Sequence, residues 1–202
     1  VPGSGKTQTL SALAADLVAR QIDDQQEVLI VTLVNSAVGN FSARIARELS
    51  ERGLPPRGGY RVRTLHGLAH DIVRERPGMV GLADDFAIVD DRIALQILDD
   101  ALMAWLRTHP EFLEAYTRPD LDGASLAKAR IDYWPDDCRD MVAAFIARAK
   151  DLRLRPETLV SRLSGRGEEL ALARLATEVY ADYQRSLGYR GAVDFADLVG
   201  YA

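Results

Sequence analysis

The pattern of apolar and polar positions alternates between helix and strand over the first third of the chain. Residues 7–22 carry apolar side chains at helical spacing, and a continuous apolar run at 28–33 predicts a strand buried on both faces of a parallel sheet. A helical pattern to about residue 52, a short alternating strand at 60–64 and a helix at 65–75 follow. Helices that alternate with strands in this way predict an α/β layout with right-handed crossovers.

The same spacing predicts which face of each early helix is buried. For the first helix the inward positions are Leu10, Leu13, Ala14, Leu17 and Val18. For the second helix they are Phe41, Ile45, Ala46 and Leu49. Asn35 or Ser36 has the side-chain type that caps a helix N-terminus, so we expect one of them to cap the second helix.

From about residue 81 the pattern becomes helical throughout. Helical segments are predicted at 90–108, 110–117, 123–131, 136–152, 156–164 and 167–187, with no strand pattern between them. A turn at 188–192 and a last helix at 195–201, capped by Asp194, complete the chain. We therefore predict an α/β core at 1–80, an all-helical insertion at 81–190 and a return to the core at 191–202.

One segment within this region has two interpretations. Four apolar residues at 86–89 end in Asp90 and Asp91, the outline of a nucleotide-site strand whose acid holds Mg²⁺ through water. The alternative is that one of these acids caps the helix that follows. Because a helical pattern begins directly there, we favour the cap.

The first residues of the chain carry the strongest chemical signal. Gly5-Lys6-Thr7 forms the end of the phosphate-loop pattern G-x-x-x-x-G-K-[ST], and Gly3 and Gly5 allow the positive φ angles that such a loop needs. In this pattern the lysine reaches the β- and γ-phosphates and the hydroxyl binds Mg²⁺, so Lys6 and Thr7 are the predicted catalytic residues and Thr7 the metal ligand. The predicted ATP-binding residues are Pro2, Gly3, Ser4, Gly5, Lys6, Thr7 and Gln8. The alternative is a surface turn that contains Gly-Lys-Thr by chance.

Charge, cysteine content and the length of apolar runs indicate which binding partners and which compartment to expect. The net charge is −5, but residues 40–76 carry eight Arg against four acids, which suits a basic groove better than a surface that wraps nucleic acid. The single cysteine, Cys138, excludes an intramolecular disulfide and fits a reducing cytoplasm. No apolar run has the length needed to span a bilayer, so we expect a cytoplasmic protein without a membrane partner.

Five segments together resemble one family. Residues 3–7 (Gly-Ser-Gly-Lys-Thr), 31–37 (Val-Thr-Leu-Val-Asn-Ser-Ala) and 64–69 (Thr-Leu-His-Gly-Leu-Ala) resemble the first ATPase motif and two DNA-contact motifs of UvrD/Rep-like superfamily 1 helicases. Residues 183–185 and 192–198 resemble the sequence just ahead of that family's Mg²⁺-binding Asp-Glu motif. The helical stretch falls where the family inserts its helical 1B subdomain, so the resemblance covers nearly the whole chain.

The resemblance implies a RecA-like P-loop fold with 1A- and 1B-like subdomains. It also implies an ATP- and Mg²⁺-dependent enzyme that moves 3′ to 5′ on single-stranded DNA or at a junction with duplex, with a nuclease or repair protein as a partner. The DNA-binding positions that match the family's motifs are Thr32, Leu33, Asn35, Thr64, His66 and Gly67.

Each of these positions also has a structural interpretation. Thr32 could be a strand-end hydroxyl, Asn35 and Thr64 helix caps, and His66 a core histidine. For Asp194 and Asp197, a cap and a solvated helix face are as compatible with the sequence as a role as functional groups.

The sequence departs from the family at three of these sites. The family usually has an aromatic residue at the position of Leu33, often Lys or Arg at that of Ser36, and Phe at that of Leu65. Because base–aromatic stacking is worth about 1–3 kcal/mol per base, these changes predict weaker binding to a single strand.

The opening glycine of the phosphate loop, the Asp-Glu motif and a second RecA-like domain do not occur within residues 1–202. We therefore expect the chain to be a fragment that does not unwind DNA alone. Two alternatives stay open: a catalytically silent or partner-dependent subunit of a helicase–nuclease complex, and a small-molecule phosphotransferase.

Overall fold

The computed structural model describes residues 5–20, 26–112, 116, 122–129, 133–163 and 170–202. The chain forms two compact units, Val1–Glu75 and Arg76–Ala202. The predicted subdomain limits at residues 80 and 190 remain predictions. In the structure the change of unit falls between Glu75 and Arg76, and residues 192–202 belong to the second unit.

The first unit alternates helix and strand as predicted, but the expectation that its first strand is buried on both faces is wrong, because Leu29 and Val31 are 46% and 45% exposed. Its elements are α1 (Lys6–Ala19), β1 (Val28–Thr32), α2 (Asn35–Glu51), β2 (Tyr60–Thr64) and α3 (Leu65–Glu75). β1 and β2 pair in parallel, from Val28 opposite Tyr60 to Thr32 opposite Thr64. This unit is consistent with an α/β P-loop fold, although the described sheet has only these two strands.

The core of this unit lies where α1 and α2 meet β2. Ala14, Ala15, Ile45, Leu49 and Val62 form its buried centre. Ile45 and Leu49 of α2 are fully buried and Phe41 packs against this core, which confirms these three positions of the predicted inner face; Ala46, the fourth, is only partly buried and does not belong to the core.

The predicted inner face of α1 is partly wrong. Leu10 and Leu13 are each 51% exposed and Leu17 is also exposed, whereas Ser11, Ala14 and Ala15 are buried. Small side chains allow two helices to approach closely, and this is the face that α1 turns toward α2. The Ser11 hydroxyl is satisfied in this position because it donates to the Thr7 carbonyl at 2.9 Å.

The predicted cap of α2 is also wrong. The residue at the N-cap is Val34, which provides no side-chain hydrogen bond, and Asn35 is already the first residue of the helix. The first N–H groups of α2 are therefore not satisfied by a capping side chain.

The second unit is largely helical. It contains a 3₁₀ turn (Pro77–Val80), β3 (Ala87–Ile88), α4 (Asp91–Thr108), α5 (Gly123–Lys128), α6 (Trp134–Asp151), α7 (Pro156–Leu163), α8 (Ala171–Tyr189), β4 (Ala192–Val193) and α9 (Phe195–Tyr201). Half of the predicted helix at 110–117 lies outside the described residues, as do the ends predicted at 130–131, 164 and 167–169. Its core is built by α4, α6 and α8 around fully buried Leu102, Val142 and Leu175, with Cys138 as a buried packing residue.

The expectation that no strand interrupts the helical region is wrong. β3 and β4 pair in parallel, with Ala87 opposite Ala192 and Ile88 opposite Val193. Two-residue strands are too short to produce a periodic pattern, so the sequence pattern could not predict β3 and β4. The capping interpretation of the adjacent acid is confirmed, because Asp90 Oδ1 accepts from the Ile93 N–H at 2.8 Å.

A buried polar network joins α9 to α6. Lys150 on α6, whose side chain is 5% exposed, places Nζ 2.5 Å from Asp194 Oδ2 and 2.8 Å from Asp197 Oδ2. The Tyr183 hydroxyl donates to Asp194 at 2.7 Å, and Gln184 Nε2 donates to Asp197 at 3.1 Å. Asp194 is also the N-cap of α9, as predicted, whereas Asp197 does not lie on a solvated face.

The two carboxylates of this network respond differently to burial. Burial works against ionisation of Asp194, but the Lys150 ammonium and the hydrogen bonds outweigh it and lower its pKa below the ordinary value. Burial dominates at Asp197 and raises its pKa, with Lys150 offsetting only part of the effect. Asp194 therefore stabilises the fold above its unfolded pKa and loses that contribution as the pH falls through its folded pKa. Asp197, whose pKa is raised, favours the fold at low pH and loses that contribution as the pH rises through its folded pKa.

We predict that Lys150→Met lowers the free energy of unfolding of the second unit by about 3–5 kcal/mol at neutral pH, because two buried carboxylates lose their cation. The deficit should shrink as the pH falls toward the ordinary pKa of aspartate, since protonated carboxylates no longer need a positive partner. Urea unfolding followed by tryptophan fluorescence measures it, because Trp105 and Trp134 both lie in this unit.

Lys128→Met, at an exposed position on α5, is the matched control and should leave the stability almost unchanged. A deficit in Lys150→Met that stays constant with pH would contradict the assignment of the effect to the carboxylates.

Candidate nucleotide and nucleic-acid site

The phosphate-loop residues within the described part of the chain stand at the start of α1. Gly5 occupies the N-cap of this helix with φ of 75°, a left-handed conformation that glycine adopts without steric cost. The positive φ predicted for Gly5 is thus present. Pro2, Gly3 and Ser4 lie outside the described residues.

Lys6 and Thr7 are the first two residues of α1, and both are exposed. The first turn contains no acidic residue, and the N-cap provides no side-chain hydrogen bond to its N–H groups. No acidic side chain of this first turn opposes the positive end of the helix dipole, which lies next to an ammonium group and a hydroxyl. This donor set fits a phosphate group, so the roles predicted for Lys6 and Thr7 are compatible with the structure and remain predictions.

Gln8, the last predicted ATP-binding residue, has partners on α2. Its side-chain oxygen accepts from Arg44 Nη1 at 2.8 Å, and its Nε2 donates to Glu48 Oε1 at 3.3 Å. Gln8 thus ties the first turns of α1 to the middle of α2. Among the described residues there is no group of three or more His, Cys, Asp or Glu side chains that could hold a metal ion.

The predicted DNA-binding residues lie at one edge of the β1–β2 sheet. Because the strands are parallel, their carboxyl ends meet there, and Thr32 is the direct partner of Thr64. Leu33 follows at 84% exposure, and Asn35 opens α2. α2 and α3 both begin at this edge, so two helix N-termini point toward it.

Thr64 caps α3. Its Oγ1 accepts a hydrogen bond from the Gly67 N–H at 3.1 Å, which confirms the capping interpretation. A hydroxyl has one proton to donate besides its acceptor lone pairs. The capping role therefore leaves Thr64 able to donate to a phosphate, and the two interpretations are compatible.

Gly67 allows a close approach within the first turn of α3. A β-carbon at this position would lie 3.2 Å from Thr64 Oγ1 and 3.6 Å from Arg63 Cδ. His66, beside it, is exposed, so the interpretation of His66 as a core histidine is wrong.

A cavity of about 350 Å³ brings some of these residues together with others that the motifs did not indicate. Its wall includes Asn35, Thr64 and Gly67 from the predicted set, and Arg63, His70 and Asp71 as additions. Thr32, Leu33 and His66 do not belong to its described lining. The signal available for Arg63 was the alternation of Arg61 and Arg63 along a predicted strand, which places both side chains on one face.

The described geometry has a glycine-led helix start, a parallel strand pair and helix N-termini at its carboxyl edge, and it is consistent with an α/β P-loop fold. A family model for the UvrD/REP helicase N-terminal domain matches residues 1–202. The chain belongs to this family.

Curated relatives are similar over almost the whole chain. The ATP-dependent DNA helicase UvrD1 of Mycobacterium leprae is 28% identical over 202 residues, which is 98% of this chain and 22% of the relative. DNA helicase II of Escherichia coli is 28% identical over 197 residues, with 98% and 22% coverage, and DNA helicase II of Rickettsia typhi is 27% identical over 201 residues, with 98% and 25% coverage. The chain thus spans about a quarter of the length of these relatives. No helix in the described ranges has the length and apolar character needed to cross a membrane.

We predict that Thr64→Val weakens α3 by about 1 kcal/mol, because the Gly67 N–H loses its capping acceptor while the side-chain volume is kept. Hydrogen exchange at the Gly67 amide should accelerate roughly fivefold. Thr64→Ser keeps the hydroxyl and is the control; equal acceleration in both variants would argue against the cap.

Proposed function

We propose that this chain is the ATP-binding part of an ATP-driven helicase or translocase that acts on single-stranded DNA. Membership of the UvrD/REP family supports the class. The 3′-to-5′ direction rests on the resemblance of the motifs alone.

One observation carries the proposal. The two segments that resemble DNA-contact motifs are far apart in sequence, yet Thr32 and Thr64 are direct partners in the parallel pair. Hydroxyl, amide and backbone N–H donors from β1, α2, β2 and α3 therefore share one edge. Such donors suit the phosphates of a nucleic-acid backbone, which they position without reading its sequence.

The ATP site in this proposal is the start of α1. Bound ATP with Mg²⁺ supplies the phosphoanhydride whose hydrolysis drives movement. Lys6 is proposed to donate to the β- and γ-phosphate oxygens and Thr7 to offer its hydroxyl to the metal, so both act by positioning and charge stabilisation. Gly5 allows the backbone N–H groups to approach the phosphates.

The experiment is ATP hydrolysis by the intact protein that contains these residues, with and without single-stranded DNA. We expect hydrolysis to be stimulated by DNA and to fall by about a hundredfold or more in Lys6→Ala, the range measured when one preorganised donor to a developing charge is removed. Lys128→Ala removes an exposed lysine on α5 and should retain full activity.

The other outcomes point to the alternatives. Hydrolysis that is indifferent to DNA would replace the proposal with a phosphotransferase or a partner-dependent subunit. Absence of hydrolysis in the wild type would favour a silent subunit.

A further inference from the structure

We infer that Arg63 is an additional DNA-backbone contact, supplying from β2 the positive charge that the motif in residues 31–37 lacks at Ser36. This inference rests on the proposed function, because it assigns a residue to the same single-strand track. None of the motif matches includes Arg63.

Arg63 lies beside the predicted contact residues. It immediately precedes Thr64 on β2 and lines the cavity together with Asn35, Thr64 and Gly67. Its side chain runs along the first turn of α3, since Cδ lies 3.6 Å from where a β-carbon of Gly67 would be. Its side chain is 43% exposed, so a ligand at the cavity can reach it.

The way Arg63 is held leaves part of its guanidinium available. Nε donates to Asp71 Oδ2 at 2.8 Å, and Nη1 makes only a long bond of 3.4 Å to the Val62 carbonyl. Arginine has five N–H donors in a planar fork; the Nε bond uses one and the long Nη1 bond a second, so the remaining hydrogens of Nη1 and Nη2 can donate to a phosphate.

Asp71 gives this arrangement its preorganisation. A carboxylate on Nε fixes the plane of the guanidinium, so less side-chain entropy is lost when a phosphate binds. The other charged or titratable groups around Asp71 are Arg61, 4.0 Å from Oδ2, and His70, 4.0 Å from Oδ1. Arg61 is engaged mainly by Glu27 at 3.0 Å, which leaves Arg63 as the principal partner of Asp71.

The neighbouring helix N-termini make the location favourable for an anion. Val34 gives α2 no side-chain cap, and the Thr64 hydroxyl keeps a proton to donate. A phosphate at this edge would meet neutral donors from two helices and the guanidinium of Arg63, whose positive charge Asp71 offsets only in part. Ser36, by contrast, brings no charge.

The inference is tested by binding of a fluorescein-labelled oligothymidylate to the intact protein, measured by anisotropy over a range of salt concentrations. We expect Arg63→Gln to weaken binding roughly tenfold, the effect of one charge-assisted hydrogen bond. The slope of log K against log salt should become shallower by about 0.7, the value for one phosphate contact on a single strand.

Arg61→Gln is the matched control. It lies two residues earlier on the same face of β2, has nearly the same exposure and removes the same charge, but it does not line the cavity. Its salt slope should equal that of the wild type. Arg63→Lys keeps the charge without the planar fork, so it should restore the slope while recovering only part of the affinity.

The outcomes separate the inference from the proposed function. If the wild type binds the oligonucleotide with a salt-dependent affinity and Arg63→Gln behaves like Arg61→Gln, the assignment of Arg63 is wrong and the proposed function stands. If the wild type does not bind, the proposed function fails. Should Arg63→Gln not fold, Arg63→Lys decides: weaker binding than the wild type supports the contact, because the planar fork is lost, whereas an affinity and a salt slope both equal to those of the wild type overturn it.

Discussion

Parallel pairing of β1 with β2 is the constraint on which the first unit depends. A parallel pair cannot be closed by a tight turn, so α2 must cross over between the strands, and both α2 and α3 then begin at the same sheet edge. The register fixes Thr32 beside Thr64. A shift by one residue would turn Val62 out of the core and carry Arg63 to the opposite face. The burial of Val62 in the core therefore fixes the positions of Thr32, Arg63 and Thr64 at the carboxyl edge of the β1–β2 sheet, which we call the polar edge.

The packing of α1 shows how the nucleotide end of the unit is fixed. Ser11, Ala14 and Ala15 allow α1 to lie close to α2, and the hydrogen bonds of Gln8 with Arg44 and Glu48 determine how the first turn is oriented. These contacts hold the start of α1 against α2, and α2 itself begins at the carboxyl edge of the β1–β2 sheet. The predicted ATP-binding residues at the start of α1 and the predicted DNA-binding residues at the sheet edge are therefore both connected to α2. A shared helix of this kind is what coupling between the two ligands would require.

Sequence reasoning succeeded where a single periodic signal dominates. The positions of the strands of the first unit, the buried Ile45 and Leu49 of α2 and the caps Asp90 and Asp194 followed from local patterns, whereas the burial of β1 on both faces did not. It failed for the buried face of α1, because periodicity favours large apolar residues over the small ones that close helix packing selects. It also missed β3 and β4, and the roles of Lys150 and Asp71, because these depend on partners distant in sequence. Only three of the 25 basic residues are lysine, so a lysine within the helical pattern at 136–152 was a signal that could have singled out Lys150.

The chemistry of the polar edge changes how the proposed DNA track would hold a strand. Stacking on aromatic rings depends little on salt, whereas a phosphate contact releases counterions and weakens as salt rises. In this chain Leu33 and Leu65 are exposed aliphatic residues at positions where the resemblance places rings, and Arg63 adds a charge instead. Binding should therefore rest more on the backbone than on the bases. Contacts of this kind do not depend on the base sequence, which suits the proposed movement along DNA.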